Sequence, residues 1–207
     1  MNTIWAMLLL YAALKWEGEA LIDRFALRRD LRMAACRLFS NRSLQLLCGG
    51  VGPLRTANAL RSFAGELSIL DLPPPAAVLN IGICAAQPAL DLGSLYWAAT
   101  VDAEDAAAIP LWTPPGGAAL RLRSFCHPQT VPMPECDLAD MEGFTCAQTA
   151  LRLFPGCRVG ALKIAADHFE PRRLTRAVIK ALFSPHLDHI AAAVDIFRDA
   201  ETAVLPQ

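Results

Sequence analysis

Two rhythms of apolar residues alternate along this chain. Continuous apolar runs from Thr3 to Ala13 and Ala77 to Ile83 read as strands buried on both faces, and Leu95 to Val101, Leu120 to Cys126 and Arg158 to Ala166 read as further strands. Met33 to Phe39 and Ser43 to Cys48, joined by Ser40-Asn41-Arg42, predict a hairpin. Between these runs the apolar positions recur at helical spacing. Ala20, Leu21 and Phe25 mark a helix over Glu17 to Phe25, and Leu54, Ala57, Leu60 and Ala64 mark one that starts at Pro53. Phe144, Ala147, Ala150, Leu151 and Phe154 mark a third helix, from Met141. Two more follow near the end: Leu174, Ala177, Val178, Ala181 and Leu182, then Leu187, Ile190, Ala191, Val194 and Phe197, the second opened by Ser184-Pro185. Arg172, Arg173, Arg176 and Lys180 lie opposite the first of these stripes. Strand and helix in alternation predict an α/β layered architecture around a mostly buried sheet. With no internal repeat and no linker, one domain over 1–207 is expected.

The punctuation between these elements adds detail. Cys48-Gly49-Gly50-Val51-Gly52-Pro53 is a glycine-rich turn from a strand into a helix, but no acidic residue closes a dinucleotide-binding unit at the right distance. The glycines are expected to let the backbone turn tightly and the helix approach the sheet. Small residues in Gly82-Ile83-Cys84-Ala85-Ala86 suit a strand end that something must approach closely. Asp71 to Ala76 is a proline-rich loop, and Asp102 to Gly117 reads as a long surface loop, a candidate lid or partner contact. Arg24, Arg28, Arg29 and Arg32 mingle with Asp23 and Asp30, the pattern of a solvated face.

Composition narrows the function classes. A net charge of -1 gives no basic field for nucleic acid or an anionic membrane surface. The seven cysteines are odd in number, lack a CxxC pair and sit mostly in apolar runs, which predicts buried free thiols in a reducing cytosol. Ile4 to Leu14 lacks the basic start and cleavage site of a signal peptide, and no stretch has the length of a membrane span. A cytoplasmic protein is expected.

Candidate chemistry gathers around Asp137 to Gln148, where an acidic segment runs into the Met141 helix. Asp140 can cap that helix, and Glu142 in its first turn is explained by the helix dipole alone. Asp167 ends a strand before His168, which reads as an exposed loop histidine. His186 and His189 lie three apart on a helix without a third ligand near in sequence, so no metal is predicted. Cys84 as a nucleophile lacks an identifiable base, and fits better as a small residue of a pocket wall.

Four ordered segments carry a resemblance: Ala13-Leu14-Lys15-Trp16-Glu17, Gly49-Gly50-Val51-Gly52, Leu79-Asn80-Ile81-Gly82, and Asp140-Met141-Glu142-Gly143 with Lys163 to Asp167 behind it. Together they resemble the purine nucleoside phosphorylase and nucleosidase superfamily, most closely the methylthioadenosine/S-adenosylhomocysteine nucleosidase and futalosine hydrolase branch. The resemblance implies a three-layer α/β/α sandwich with a mixed, partly barrel-like sheet, assembly as a homodimer, no cofactor, and cleavage of an N-glycosidic bond in a small nucleoside. It implies that Glu142 holds the ribose hydroxyls, that Met141 packs on the sugar, that Asp167 hydrogen-bonds or protonates the purine N7, and that Glu17 activates water. Lys163, Cys84 and Phe125 are the further substrate-binding positions, and His127 falls beside Phe125 where base-stacking residues come from.

The chain also departs from that family. Lys163-Ile164-Ala165-Ala166-Asp167 stands where the nucleosidases usually carry Arg-x-x-Ser-Asp, so a planar fork and a hydroxyl are lost. Ile83-Cys84-Ala85-Ala86 is bulkier than the usual Ser-Ala-Gly-Gly turn, and Lys15-Trp16-Glu17 replaces the phosphate-binding Gly-x-x-x-Arg of the bacterial phosphorylases. Hydrolysis of an adenosine- or inosine-type purine nucleoside, with or without a 5' modification, to release the free base is therefore expected. The alternatives are a phosphate-dependent phosphorylase and a degenerate member that binds without turnover.

Overall fold

A computed structural model of the chain describes residues 7–170 and 175–200. The first residues of the expected opening strand, together with Arg172, Arg173 and Leu174, lie outside the described residues.

The apolar runs build one ten-stranded mixed sheet. Its strands are β1 Leu8–Ala12, β2 Arg28–Arg29, β3 Leu38–Ser40, β4 Leu44–Cys48, β5 Ala77–Ala86, β6 Leu95–Ala103, β7 Ile109–Pro110, β8 Leu120–Ser124, β9 Leu138–Asp140 and β10 Arg158–Asp167. The helices are α1 Lys15–Phe25, α2 Pro53–Ile69, α3 Gly143–Leu153, α4 Arg176–Phe183 and α5 Leu187–Asp199, with a 3-10 turn at Ser184–His186. Strand alternation sorts the core into two layers. Leu9, Tyr11, Val78, Cys84, Ala86, Ala161 and Ala165 face α2 and α3. Leu8, Leu10, Leu79, Ile81, Leu162 and Ile164 face α1, α4 and α5 on the other side. This is the three-layer α/β/α sandwich.

Half of the sheet curls into a ring. β10 pairs with β5 and β6, β6 with β8, β8 with β9, and β9 returns to β5. Strand β5 therefore has β10 along one edge and divides its other edge between two neighbours. Ala77 to Asn80 pair with β1, while Ala85 and Ala86 pair with β9. Between those stretches, Ile81 to Cys84 face a gap where β1 and β9 part. Carboxyl ends of the parallel strands β1, β5 and β10 meet around that gap, the place where an α/β sheet opens a crevice.

Several expectations change in detail. The hairpin forms, but its first strand is only Leu38–Ser40, because Met33 and Cys36 turn inward as buried residues. Arg29 is part of this turn and not of a solvated face: its guanidinium donates to the carbonyls of Asp30, Met33 and Leu38. The Asp102–Gly117 segment is no free lid. Its β7 residues pair with β6, Leu111 is buried, and the Trp112 N–H donates to the Val159 carbonyl at 2.9 Å. All seven cysteines are unpaired, and five of them, Cys36, Cys84, Cys136, Cys146 and Cys157, are buried. No helix among the described residues is long and apolar enough to cross a membrane.

Gly160 is where β10 and α5 come closest. A Cβ there would lie 2.8 Å from the Phe197 ring and 3.1 Å from Leu79. Phe197 is itself wedged against Trp97 and Trp112, so it has little room to yield. Gly160→Ala is expected to destabilise the fold by about 1–3 kcal/mol through overpacking, measured as a lower midpoint of urea unfolding; an unchanged midpoint would show that this interface is looser than its spacing implies.

Candidate active site

Glu17 is placed by helix α1 itself. Leu14 is extended, the helix begins at Lys15, and the Glu17 side chain reaches back so that Oε2 accepts the Leu14 N–H at 2.8 Å. That is the ordinary duty of a first-turn glutamate. Its second oxygen does something else: Oε1 accepts the Ile83 N–H at 2.9 Å. Ile83 lies on the edge of β5 where neither β1 nor β9 pairs, so the carboxylate stands in for the missing neighbour. A Cβ at Gly82 would come within 3.0 Å of Oε1, which explains the small residue there. Glu17 is only 2% exposed. Burial raises its pKa above the usual carboxylate range, although the two N–H groups and the Lys163 charge pull the other way.

The glycine-rich turn serves Glu142. Gly49 and Gly50 donate to the carbonyls of Ala12 and Ala13, and Tyr11 fills the space beside Gly49. Tyr11 reaches Thr56 Oγ1 at 2.9 Å and the Gly50 carbonyl at 3.1 Å, fixing the turn. Gly52 has φ 92, a conformation that favours glycine, and its N–H donates to Glu142 Oε1 at 2.6 Å. Ninety residues of chain separate this donor from its acceptor. The turn is thus a cradle, but for a side chain of the protein.

Glu142 sits in a short turn between β9 and α3, and Asp140 anchors that turn. The Asp140 carboxylate accepts the Gly143 N–H at 2.9 Å and the Ser124 hydroxyl at 2.5 Å. Ser124 in turn accepts the Phe144 N–H at 2.8 Å, so the first amides of α3 are satisfied by two side chains. Lys163 Nζ lies 2.8 Å from Asp140 Oδ2, both side chains being 1% exposed, and also donates to Asn80 Oδ1. Burial raises the Glu142 pKa to about 7; the Asp140 charge adds to the rise, and Lys163 and the Gly52 N–H oppose it. For Lys163, burial favours loss of the proton, but the neighbouring Asp140 and Glu142 outweigh it and raise its pKa.

Asp167 is aimed by a bulge. Strand β10 keeps register with β5 as far as Ala165, opposite Cys84, and then skips a residue, so that Asp167 stands opposite Ala85. Neighbouring residues of a regular strand point to opposite faces. Here Ala166 and Asp167 both line one cavity, as a bulge permits.

That cavity, of about 250 Å³, gathers most of the expected residues. Glu17, Cys84, Phe125, Met141, Glu142 and Asp167 all lie on its wall, with Asp140, Gln129, Val51 and Ile83. Lys163 does not: it is buried behind the wall and is joined to it by its ion pair with Asp140. His127 is exposed and outside the wall, and His168 is half-buried with Nδ1 3.0 Å from the Ala86 carbonyl, contrary to the exposed loop position expected. Burial holds the Cys84 thiol above its usual range, which argues against a nucleophilic role. His186 and His189 stack loosely, and no metal-binding cluster occurs among the described residues.

The sequence reading missed Tyr11, Ser124 and the partnership of Gly52 with Glu142. Asn80 entered it only as part of the Leu79–Gly82 segment, and its role as a buried polar partner inside the apolar run of β5 was not seen. Together with Lys163 in the run of β10, it was the visible sign of a buried polar site.

No family model matches the sequence, and no curated protein matches it. Solved structures with the same fold are nevertheless numerous. The Arabidopsis thaliana 5'-methylthioadenosine nucleosidase superposes with a TM-score of 0.77 at 14% identity, over 97% of this chain and 99% of that one. The Helicobacter pylori 5'-methylthioadenosine/S-adenosyl homocysteine nucleosidase gives 0.69 at 11% identity, over 92% and 98%. A Chlamydia trachomatis nucleosidase bound to adenine gives 0.64 at 20% identity, over 92% and 97%. The chain thus has the fold seen in these methylthioadenosine nucleosidases.

The raised pKa of Glu142 has a stability consequence with a definite sign. The folded state holds the proton up to about pH 7, whereas the unfolded chain releases it near 4.5. This group's contribution is therefore complete below pH 4.5 and is lost as pH rises through 7. Glu142→Gln keeps the acceptor for Gly52 and removes the titration. The variant is expected to gain on the wild type by on the order of 3 kcal/mol between pH 4 and pH 8, read from urea unfolding at both pH values; parallel curves would contradict the assignment.

Proposed function

We propose that this chain, built on the fold of the MTA/SAH nucleosidases, hydrolyses the N-glycosidic bond of an adenosine- or inosine-type nucleoside and releases the free base. One observation carries the reading: Glu17, Glu142 and Asp167, brought from three separate parts of the chain, converge on one cavity with otherwise largely apolar walls. A complex of the Chlamydia trachomatis protein with MTA supports a small nucleoside as the class of ligand.

The chemistry asks for such a set. Breaking the C1′–N9 bond builds positive charge on the ribose and negative charge on the leaving base. Asp167 hydrogen-bonds or protonates N7, drawing off the charge that develops on the base. Glu142 accepts the two ribose hydroxyls, with Met141 beside the sugar, and its negative charge steadies the cation. Glu17 orients a water molecule at C1′. Each of its oxygens accepts one backbone N–H and keeps lone-pair capacity for that water. Burial makes it a stronger base than a surface glutamate, suited to take the water's proton near neutral pH.

Hydrolysis is favoured over phosphorolysis because the charged groups on the described wall, Glu17, Asp140, Glu142 and Asp167, are all carboxylates, which repel a phosphate nucleophile.

Base release followed by chromatography tests this, with adenosine, inosine, methylthioadenosine, S-adenosylhomocysteine and futalosine as the panel. Free base is expected without phosphate. Asp167→Asn and Glu17→Gln are each expected to lower kcat/KM by about 100-fold or more. In the wild type kcat/KM should rise with pH through about 7, as free Glu142 loses its proton. Release only in the presence of phosphate, or an unaffected Asp167→Asn variant, would overturn the mechanism.

A further inference from the structure

The mechanism leaves one buried charge unused. Lys163 is an ammonium 1% exposed, in the middle of strand β10, and it does not itself line the cavity. An unpaired ammonium is costly to bury, so its partners matter. They are Asp140 Oδ2 at 2.8 Å and Asn80 Oδ1. Asp140 is in turn the acceptor for the Gly143 amide and the Ser124 hydroxyl, so one carboxylate links the lysine to the turn that presents Met141 and Glu142. On the cavity side the same turn is held by the Gly52 N–H.

We propose that Lys163 is a positioning residue: acting through Asp140, it fixes the Met141–Glu142 turn and favours the ionised form of Glu142, the form that can grip a sugar diol. The consequence for the sugar rests on the nucleoside reading; the action on Glu142 does not.

The charges around Glu142 make the lysine decisive. Asp140 on β9 and Glu17 on α1 are both acidic and both disfavour a third negative charge beside them. Tyr11 on β1 and Cys146 on α3 also face Glu142, and burial keeps both protonated well above neutral pH. Lys163 on β10 is the cation among these neighbours. Without it, Asp140 and Glu142 would face each other across the turn with no compensating charge, and the proton would stay on Glu142. A neutral carboxylic acid must give up an acceptor oxygen to its own proton, so it holds a pair of hydroxyl donors less well than a carboxylate does.

The test is a titration of the Glu142 carboxyl carbon by NMR in ligand-free protein, in wild type, Lys163→Met and Lys163→Arg. Wild type is expected to titrate near pH 7. Lys163→Met is expected to titrate higher by about one pH unit or more, which lowers the ionised population at pH 7 about fivefold. Lys163→Arg, which keeps the charge, should return the midpoint toward wild type. Adenosine-induced thermal stabilisation should follow the same midpoints. A Lys163→Met midpoint equal to that of wild type overturns the proposal, whatever happens to stability.

Lys163→Met leaves Asp140 buried without its partner and can fail to fold. The wild type then supplies the answer. The Lys163 Nζ resonance should remain that of an ammonium from pH 5 to 9 and should shift with the Glu142 midpoint; a resonance that ignores that titration rejects the coupling. The carboxyl titration needs no substrate, so loss of the nucleoside reading in the base-release assay leaves this result standing.

Discussion

Everything at the cavity floor depends on one buried ion pair. Asp140 and Lys163 meet in the buried interior, where solvent does not screen them, and each is costly without the other. Their contact ties β9 to β10 and, through Ser124, to β8. The Asp140 carboxylate and the Ser124 hydroxyl it holds also accept the first amides of α3, which fixes where the helix starts. Glu142 is carried on the residues between. Its high pKa follows from this location: it is buried beside one carboxylate and relieved by one lysine.

A second constraint acts from the opposite wall. Tyr11 occupies the space beside Gly49 and reaches Thr56, so the glycine turn has little freedom. That turn delivers a backbone N–H to Glu142 and leads directly into α2. Glu17 combines the same two duties, closing its own helix and filling a vacant strand position with one carboxylate. The proposed function and the architecture draw on the same side chains, so a substitution that removes one role disturbs the other. This is why the variants of greatest use keep shape and hydrogen bonding while changing only charge.

Much of this was legible in the residues. Long apolar runs and helical stripes announced a layered α/β fold, and the order of the glycine turn, the Asn80 strand and the Asp140–Gly143 segment pointed to the nucleosidase-like arrangement. Lys163 was harder to place, because a lysine next to substrate-binding positions reads as one more of them. Only the pairing of β10 with β5 reveals that it lies on the inward face, in phase with Ala161 and Ala165. The bulge before Asp167 was equally hidden, since Ala165 and Ala166 carry no mark of an irregular strand. Short strands such as β2 and β7 escaped notice because two residues leave no period to detect.

The parted edge of β5 has a wider meaning. The cavity exists because β1 and β9 take different lengths of one strand and do not meet, so the opening is created by backbone pairing and only furnished by side chains. Replacing the furnishings alters what can be held there without closing the space. A sheet of this design can change its chemistry, or lose it, and still keep a room for a guest. One such fold is compatible with widely different sequences, as nucleosidase structures sharing 11–20% identity with this chain illustrate.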